Sequence, residues 1–386
     1  MNILVIGNGF DLAHKLPTKY QDFLEFVEYF KCNFIDDKDI KSFSAFNKEN
    51  NHEKYIEYFR IMPDDIKEEL IELIEDNYWF TYFRKTYNKK IKRNENWIDF
   101  EAEISAVVQE LDRVRKELIK KVSNNKSASP IRRIMSFNLY KIPTEFSLNT
   151  LPQKITTLPA IKNDEFTLAR IQNIKDIILN DLNRLTRCLE LYLCDYISYK
   201  KCKILPLFEN LKPDHIINFN YTSTYSTVYL SLKESLGEKV PDIHYIHGRA
   251  IYGRPSEKCN LVLGIEEYLE GSEKDKDNEY IEFKKFYQRI FKGTGNNYKQ
   301  WLEHYNLTKA VKKDKLITYI FGHSIATTDG DVIKDLIEAS TQTIIYYYRK
   351  SDLHDIILNL VQIIGEEELI KRTSANNSSI IFKQNP

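Results

Sequence analysis

The sequence lacks the features that mark three kinds of protein. Its five cysteines among 386 residues form no C-x-x-C pair, which argues against both a disulfide framework and a zinc module. Basic and acidic residues balance at 56 each, whereas nucleic-acid-binding proteins usually carry a basic excess. No apolar stretch approaches the roughly 20 residues of a membrane helix, and the apolar start is too short for a secretory signal. The sequence therefore predicts a cytoplasmic protein with no bound metal and no membrane contact, and its balanced charge disfavours a nucleic-acid partner.

The chain begins with an apolar run followed by a glycine turn. Residues 3–6, Ile-Leu-Val-Ile, predict a strand that is buried on both faces of a parallel sheet. The turn Gly7-Asn8-Gly9 follows, and a helix is expected to begin near Asp11. Such a turn brings backbone N–H groups and the positive end of a helix together, which suits a phosphate. Because Leu12 stands at the third small-residue position of the dinucleotide fingerprint, a glycine turn without a ligand stays the alternative.

Hydrophobic periodicity divides the rest of the chain into two kinds of structure. Residues 21–205 are mostly helical in pattern, whereas after Pro213 short apolar runs alternate with helical stretches. The strands are predicted at 3–6, 215–219, 244–246, 261–263, 316–321, 343–348 and 379–382, with helices at 223–236, 280–291 and 331–339. This alternation predicts an α/β fold with a doubly wound, mostly parallel, Rossmann-like sheet. Its core comprises residues 1–20 plus 206–386, and a large helical insertion or lid occupies 21–205.

An asparagine-rich motif follows the second predicted strand. Ligand sites of open α/β sheets lie at the carboxyl ends of the strands, where Asn220 and Tyr221 are expected. The side-chain amide of Asn220 both donates and accepts hydrogen bonds, so it suits a ligand. The alternative is an Asn-rich turn in which the side chains mimic the backbone.

A histidine ends the third predicted strand. His247 precedes Gly248, which allows a close approach, and a histidine with a pKa near 6.5 can exchange a proton at neutral pH. A core or capping histidine is the alternative. Strand alternation places His244 on the other face from His247, which argues against a metal site formed by the pair.

The stretch after residues 316–321 contains Gly322, Ser324 and Asp329 ahead of a predicted helix. The hydroxyl and the carboxylate suit ribose hydroxyls, or they cap the helix. The nucleophile elbow of serine hydrolases needs a second glycine where Ala326 stands, so this motif is not such an elbow.

Six motifs in this order carry a resemblance to a known family. They are V-I-G-N-G-F-D-L-A-H-x-L-P-T-x-Y at 5–20, W-x-D-x-E at 97–101, F-N-Y-T at 219–222, Y-I-H-G at 245–248, L-V-L-G-I at 261–265 and F-G-H-S at 321–324. Through them the chain resembles the bacteriophage abortive-infection AbiH family over most of its length. More distantly it is similar to sirtuin-like NAD-binding proteins, with matches at Gly7, Gly9, Pro17, Asn220, His247, Gly322 and Ser324. It departs from those patterns at Asn8, Lys15, Thr222 and Ala326, where an alanine, a glycine and two aspartates are usual.

The resemblance implies an anti-phage abortive-infection effector that binds NAD or a related nucleotide and hydrolyses it at the nicotinamide–ribose bond. It implies catalytic roles for Asn220 and His247. The implied binding residues are Gly7, Asn8, Gly9, Phe10, Asp11, His14, Tyr221, Gly248, Gly322, Ser324 and Asp329. No cofactor is expected beyond NAD as substrate or ligand. A phage-derived trigger protein and a second copy of the chain are the other expected partners.

Three points stay open on the sequence alone. The replacement of aspartate at Thr222 and at Ala326 favours the alternative of a nucleotide-binding sensor or interaction protein without catalysis. A nucleic-acid enzyme would need a basic groove, of which only residues 85–93 and 312–315 give a sign. Glu101 either reaches the site from a lid or is a solvated carboxylate near a helix cap.

Overall fold

A computed structural model describes most of the chain. The residues described are 1–35, 53–93, 97–124, 168–198, 200, 202, 204–230, 234, 237, 239–312, 315–374 and 378–385. The predicted helix at 223–236 and the basic stretch at 312–315 lie partly outside these residues.

Six parallel strands form one sheet in the described part of the chain. They are β1 Asn2–Ile6, β2 His215–Asn218, β3 Asp242–Tyr245, β4 Ile317–Phe321, β5 Gln342–Tyr347 and β6 Ile380–Gln384. Their order across the sheet is β3-β2-β1-β4-β5-β6, and every neighbouring pair is parallel. The predicted α/β fold with a parallel sheet is confirmed.

Helices connect and flank these strands. They are α1 Asn8–Ala13, α2 Tyr20–Phe34, α3 Glu53–Ile61, α4 Asp64–Ile74, α5 Tyr78–Ile91, α6 Phe100–Asn124, α7 Leu168–Leu191, α8 Pro206–Asn210, α9 Glu273–Lys276, α10 Lys285–Phe291, α11 Asn297–Lys312, α12 Gly330–Ala339, α13 Lys350–Ile364 and α14 Glu366–Thr373. Among the described residues, no helix combines the length and the apolar character needed to cross a membrane.

The predicted strand at 261–263 is wrong. The segment is fully buried but irregular. The N–H of Val262 donates to the carbonyl of His247 (2.8 Å), and the N–H of Leu263 donates to the side-chain oxygen of Gln288 (3.1 Å). Because these backbone groups bond to a loop carbonyl and a side-chain amide, the segment does not join the sheet.

Contacts divide the chain into two compact units. The α/β unit comprises Met1–Lys19, Leu193–Val262 and Arg289–Pro386, and the helical unit comprises Tyr20–Tyr192 and Leu263–Gln288. The predicted core of residues 1–20 plus 206–386 therefore differs from the α/β unit mainly at Leu263–Gln288. Within the helical unit, buried ion pairs attach this segment to α6 and α7. Lys285 pairs with Glu101 (2.8 Å), and Lys175 pairs with Glu279 (2.9 Å). Glu101 is thus not a solvated carboxylate.

Strand β1 forms the centre of the α/β unit because it is apolar on both faces. Ile3 and Val5 enter one cluster, together with apolar residues of α11, α12 and α13. Leu4 and Ile6 enter another, together with residues of α1 and α8. All four side chains are at most 1% exposed, as expected of a parallel sheet covered by helices on both faces. The strand order reverses between β1 and β4, where such sheets usually form a ligand crevice.

The end of α1 contains a residue that the local backbone does not favour. The N–H of Lys15 donates to Leu12 O (3.0 Å) and that of Leu16 to Asp11 O (3.1 Å), the pattern of a Schellman cap. Such a cap places its last residue in the left-handed region, and Lys15 has φ +66°. Glycine is the most common residue at this position of such caps, because it adopts the left-handed region without steric cost.

We expect Lys15→Gly to raise the free energy of unfolding by about 1 kcal/mol, because glycine adopts the left-handed region without a clash at Cβ. Equilibrium urea unfolding measures the change. The matched control is Lys15→Ala, which removes the same exposed side chain but keeps a Cβ. Equal stabilisation by both substitutions would show that the lysine side chain, and not the backbone, is responsible.

Candidate functional site

Two glycine-containing turns of the α/β unit pack backbone against backbone. The turn after β1 donates from Gly7 N–H to Phe321 O (3.1 Å) and from Gly9 N–H to Gly322 O (2.7 Å), both at the end of β4. A Cβ on Gly9 would lie 2.6 Å from the Cα of Gly322, and a Cβ on Gly322 would overlap Phe10 N. Glycine is therefore required at both positions by this contact.

The N–H groups of the first turn are largely engaged with protein. Besides Gly7 and Gly9, Phe10 donates its N–H to Gly7 O (2.8 Å). The exposed side chain of Asn8 accepts a hydrogen bond from the Thr18 hydroxyl (2.6 Å). Close packing thus accounts for the glycines, and the binding of a phosphate by this turn stays a prediction.

Asn220 joins the loop after β2 to the same turn. Its Nδ2 donates to the carbonyl of Gly7 (2.9 Å), and its N–H donates to the side chain of Asn218 (2.8 Å). Its Oδ1 takes part in none of the hydrogen bonds among the described residues. Residues 213 positions apart in sequence therefore meet at the carboxyl ends of β1 and β2.

Asp11 is a buried carboxyl group with one oxygen in use. The hydroxyl of Thr222 donates to its Oδ2 (2.6 Å), and Thr224 in turn donates to Thr222 (3.1 Å). Its Oδ1 has no hydrogen-bond partner among the described residues. Because burial disfavours the charged form, the pKa of Asp11 rises to about 6. This carboxyl group can therefore change its charge close to neutral pH.

A second carboxylate lies between two histidines. Asp329 Oδ1 is 3.0 Å from His247 Nε2, and its Oδ2 is 3.4 Å from His323 Nε2. Arg289 places Nη2 3.8 Å from the same carboxylate and pairs through Nη1 with Asp331 (3.1 Å). His247 lies in the loop after β3, His323 in the loop after β4 and Asp329 in the turn Thr327–Asp329. Together with Arg289 they form what we call the Asp–His cluster.

The hydrogen bonds of this Asp–His cluster define where the ring protons lie. The N–H of Ile325 donates to His323 Nδ1 (2.9 Å), so the proton of the neutral ring is on Nε2, facing Asp329. In the neutral form of His247, donation from Nε2 to Asp329 (3.0 Å) places the lone pair on Nδ1. A histidine oriented by a carboxylate in this way is suited to act as a general base.

The Asp–His cluster lies against the glycine turn. A Cβ on Gly7 would come within 2.7 Å of the Cα of His323. The ring of Phe219, next to Asn220, is 4.2 Å from that of His323 and 5.6 Å from that of His247. The predicted residues Gly7, Asn220, His247 and Asp329 therefore meet at one edge of the sheet.

Two of the predicted binding residues lie in the apolar core. The side chain of Phe10 is fully buried against Phe208 and Phe321. His14 is also fully buried; its Nδ1 donates to Phe10 O (2.7 Å), and its Nε2 accepts from the Tyr229 hydroxyl (2.7 Å). Burial lowers its pKa, so the ring is neutral and serves the packing of α1.

Three further predicted binding residues, Tyr221, Gly248 and Ser324, each directly follow a residue of the site in the sequence. Tyr221 donates its hydroxyl to Val262 O (2.8 Å). Gly248 has φ +83°, and a Cβ there would overlap the carbonyl of Asn260. Ser324 is exposed, and its carbonyl accepts from Asn359 (3.1 Å).

Sequence reasoning missed two members of the Asp–His cluster. His323 stands between Gly322 and Ser324, which are both predicted binding residues, so its position at the end of a predicted strand is a signal by which it could be found. Arg289 lies in an ordinary helical pattern, which gives no signal of a functional residue. Among the described residues, no group of three or more His, Cys, Asp or Glu side chains could hold a metal ion.

Comparison with known families gives one match. The family described as bacteriophage abortive infection AbiH matches residues 3–348, which include every element of the site. Neither a curated protein nor a solved structure gives a significant match.

The buried carboxyl group at Asp11 predicts a pH-dependent stability difference. Its pKa is higher in the folded chain, about 6 against 3.8, so its contribution to stability is full below pH 4 and is lost as the pH rises through 6. Asp11→Asn has no such loss. We therefore expect the stability of the variant relative to the wild type to increase by about 2 to 3 kcal/mol between pH 4 and pH 7.5.

Urea unfolding at a series of pH values measures this difference. Asp355→Asn, which removes an exposed carboxylate from α13, is the control for the loss of one charge. A gap between Asp11→Asn and the wild type that stays constant from pH 4 to pH 7.5 would contradict the prediction.

Proposed function

Because the chain belongs to the bacteriophage abortive infection AbiH family, we propose that it is a cytoplasmic effector that binds NAD or a related nucleotide and hydrolyses it at the nicotinamide–ribose bond. The family supports a role in anti-phage abortive infection. Removal of NAD would stop the metabolism of an infected cell and so limit phage growth.

The topology of the sheet supports a nucleotide site. The order β3-β2-β1-β4-β5-β6 is that of dinucleotide-binding folds, whose ligands bind where the strand order reverses. A fold alone does not assign an activity. The observation that carries the proposal is therefore local: Asn220 is bonded to Gly7 O (2.9 Å), and the His247–Asp329 pair (3.0 Å) lies against the same turn.

The side chains that meet there match the needs of glycosidic cleavage. The bond from the nicotinamide nitrogen to C1′ breaks, and its electron pair leaves on nicotinamide. Water then attacks the oxocarbenium-like C1′ and passes its proton to His247 Nδ1. Asn220 Oδ1, which is not used within the described residues, would hold that water or a ribose hydroxyl.

Asp11 is our candidate for the nicotinamide end. Its Oδ1 has no partner among the described residues and would accept a hydrogen bond from the carboxamide group. His14 does not take this role in the proposal, because both of its ring nitrogens are bonded within the core. Ser324, whose side chain is exposed, is the candidate for a ribose or phosphate contact.

One observation favours a nucleotide-binding sensor without catalysis as the second candidate. The N–H groups of Gly7, Gly9 and Phe10 already donate to protein carbonyls, so the turn is complete without a ligand. In this alternative the chain recognises a phage-derived protein or a second copy, and NAD is bound but not consumed. Calorimetric binding of NAD without turnover would distinguish it.

We expect His247→Ala to slow NAD hydrolysis by about 10²–10⁴-fold, because it removes the proposed base. Asn220→Ala should also slow hydrolysis strongly. Each purified variant is incubated with NAD, and the nicotinamide released is quantified by chromatography, which measures both effects. Phage plaque counts in cells that carry each variant test whether the same residues are needed for defence.

His354→Asn is the matched control, because His354 is an exposed histidine of α13 that lies outside the proposed machinery. It should hydrolyse NAD at the wild-type rate, and circular dichroism establishes that all variants are folded. The proposed enzymatic activity would be overturned if NAD persists fully with the wild type and phage resistance stays intact in His247→Ala and Asn220→Ala.

A further inference from the structure

We propose that His323 is a positioning residue for His247 and acts through the carboxylate of Asp329, which lies between the two rings. The inference rests on the proposed function, because that function makes His247 the base. The inference adds His323, whose side chain contacts no reacting atom and forms no hydrogen bond with the glycine turn.

The carboxylate of Asp329 is held on both sides. One oxygen is 3.0 Å from His247 Nε2 and the other is 3.4 Å from His323 Nε2. His247 is 4% exposed, His323 7% and Asp329 8%, so little water competes for these contacts with the carboxylate. A rotation of the carboxylate that breaks one contact also breaks the other, and His323 therefore resists rotation away from His247.

His323 is itself fixed by its surroundings. Its Nδ1 accepts from Ile325 N–H (2.9 Å), its ring lies 4.2 Å from that of Phe219, and its Cα faces Gly7. Ile325 has φ +55°, a conformation that a β-branched residue rarely adopts, and its side chain is fully buried. The core thus holds the N–H that selects the Nε2–H form of His323, the form whose ring N–H lies on the side of Asp329 (3.4 Å).

A guanidinium group also faces the carboxylate of Asp329 and is itself paired with a second carboxylate. Arg289 Nη2 is 3.8 Å from Asp329 Oδ1, and Arg289 also pairs with Asp331 (3.1 Å). Both stay unchanged in the variants below, so the field they produce is common to all of them.

The consequence concerns the ring of His247. While Asp329 accepts from its Nε2–H, the lone pair stays on Nδ1, where the base needs it. If Asp329 turns away, His247 can place its proton on either nitrogen, and only part of the population is competent as a base.

Two substitutions of His323 separate this role from support of the local turn. Asparagine places its oxygen near the position of Nδ1 and keeps the acceptor for Ile325, but it loses the N–H that lies 3.4 Å from Asp329. Glutamine places its amide nitrogen near the position of Nε2 and keeps that donor, but it loses the acceptor for Ile325. A positioning role makes His323→Asn the harmful change, whereas a purely structural role makes His323→Gln the harmful one.

The first measurement is nitrogen NMR of the full chain with labelled histidine, without NAD. His247→Ala identifies the signals of His247 by their loss. We expect one Nε2–H form of neutral His247 in the wild type and in His323→Gln, and a mixture of the two forms in His323→Asn. A single form in His323→Asn with a mixture in His323→Gln, or no change in either variant, would overturn the inference.

The second measurement is the kinetics of NAD hydrolysis. His323→Asn should lower kcat by about tenfold or more with little change in KM, since misplacement of a reacting group by about 1 Å can cost 10²-fold. His323→Gln should keep kcat within about threefold of the wild type. The opposite order of the two variants would overturn the positioning role.

The two measurements separate the failure of this inference from failure of the proposed function. If the wild type leaves NAD intact, the proposed reaction fails, while the ring form of His247 still decides whether His323 acts through Asp329.

Discussion

The close backbone contact between the turns after β1 and β4 is the constraint on which the site depends. Gly9 N–H donates to Gly322 O at 2.7 Å, and neither glycine has room for a side chain. This contact brings the Cα of His323 against Gly7, whose carbonyl receives Asn220. The glycines that look like a phosphate-binding turn are therefore first of all the residues that let two strand ends approach.

Two buried carboxyl groups at this edge have different surroundings. Asp11 accepts a hydrogen bond from the Thr222 hydroxyl, to which Thr224 donates in turn, and burial raises the pKa of Asp11 to about 6. Asp329 instead faces two imidazole rings and the guanidinium of Arg289. Pairs of titratable groups in contrasting environments are common where a protein needs both an acid and a base. In the proposed reaction Asp329 orients the base, and Asp11 binds the leaving group.

The residues proposed for the reaction all lie in the α/β unit. The helical unit holds its own buried ion pairs, including Lys285 with Glu101 and Lys284 with Glu267 (2.9 Å). Removing one partner of such a pair leaves a buried charge without compensation, so these contacts matter for the integrity of the unit. Glu101, the last residue of the W-x-D-x-E motif, makes its ion pair within this unit.

Strands and turns with local signals could be predicted from the amino-acid sequence alone. The apolar run 3–6 predicted β1, and the strand-end motifs at Asn220 and His247 predicted where polar groups would gather, because strand ends of a parallel sheet share one edge. Which groups face each other could be read only from the folded chain. Phe10 and His14 are in the core, residues 261–263 bond to loops, and Asp329 joins His323 to His247, since such contacts link residues far apart in the chain. Local periodicity records the burial of a residue but not the partner that buries it.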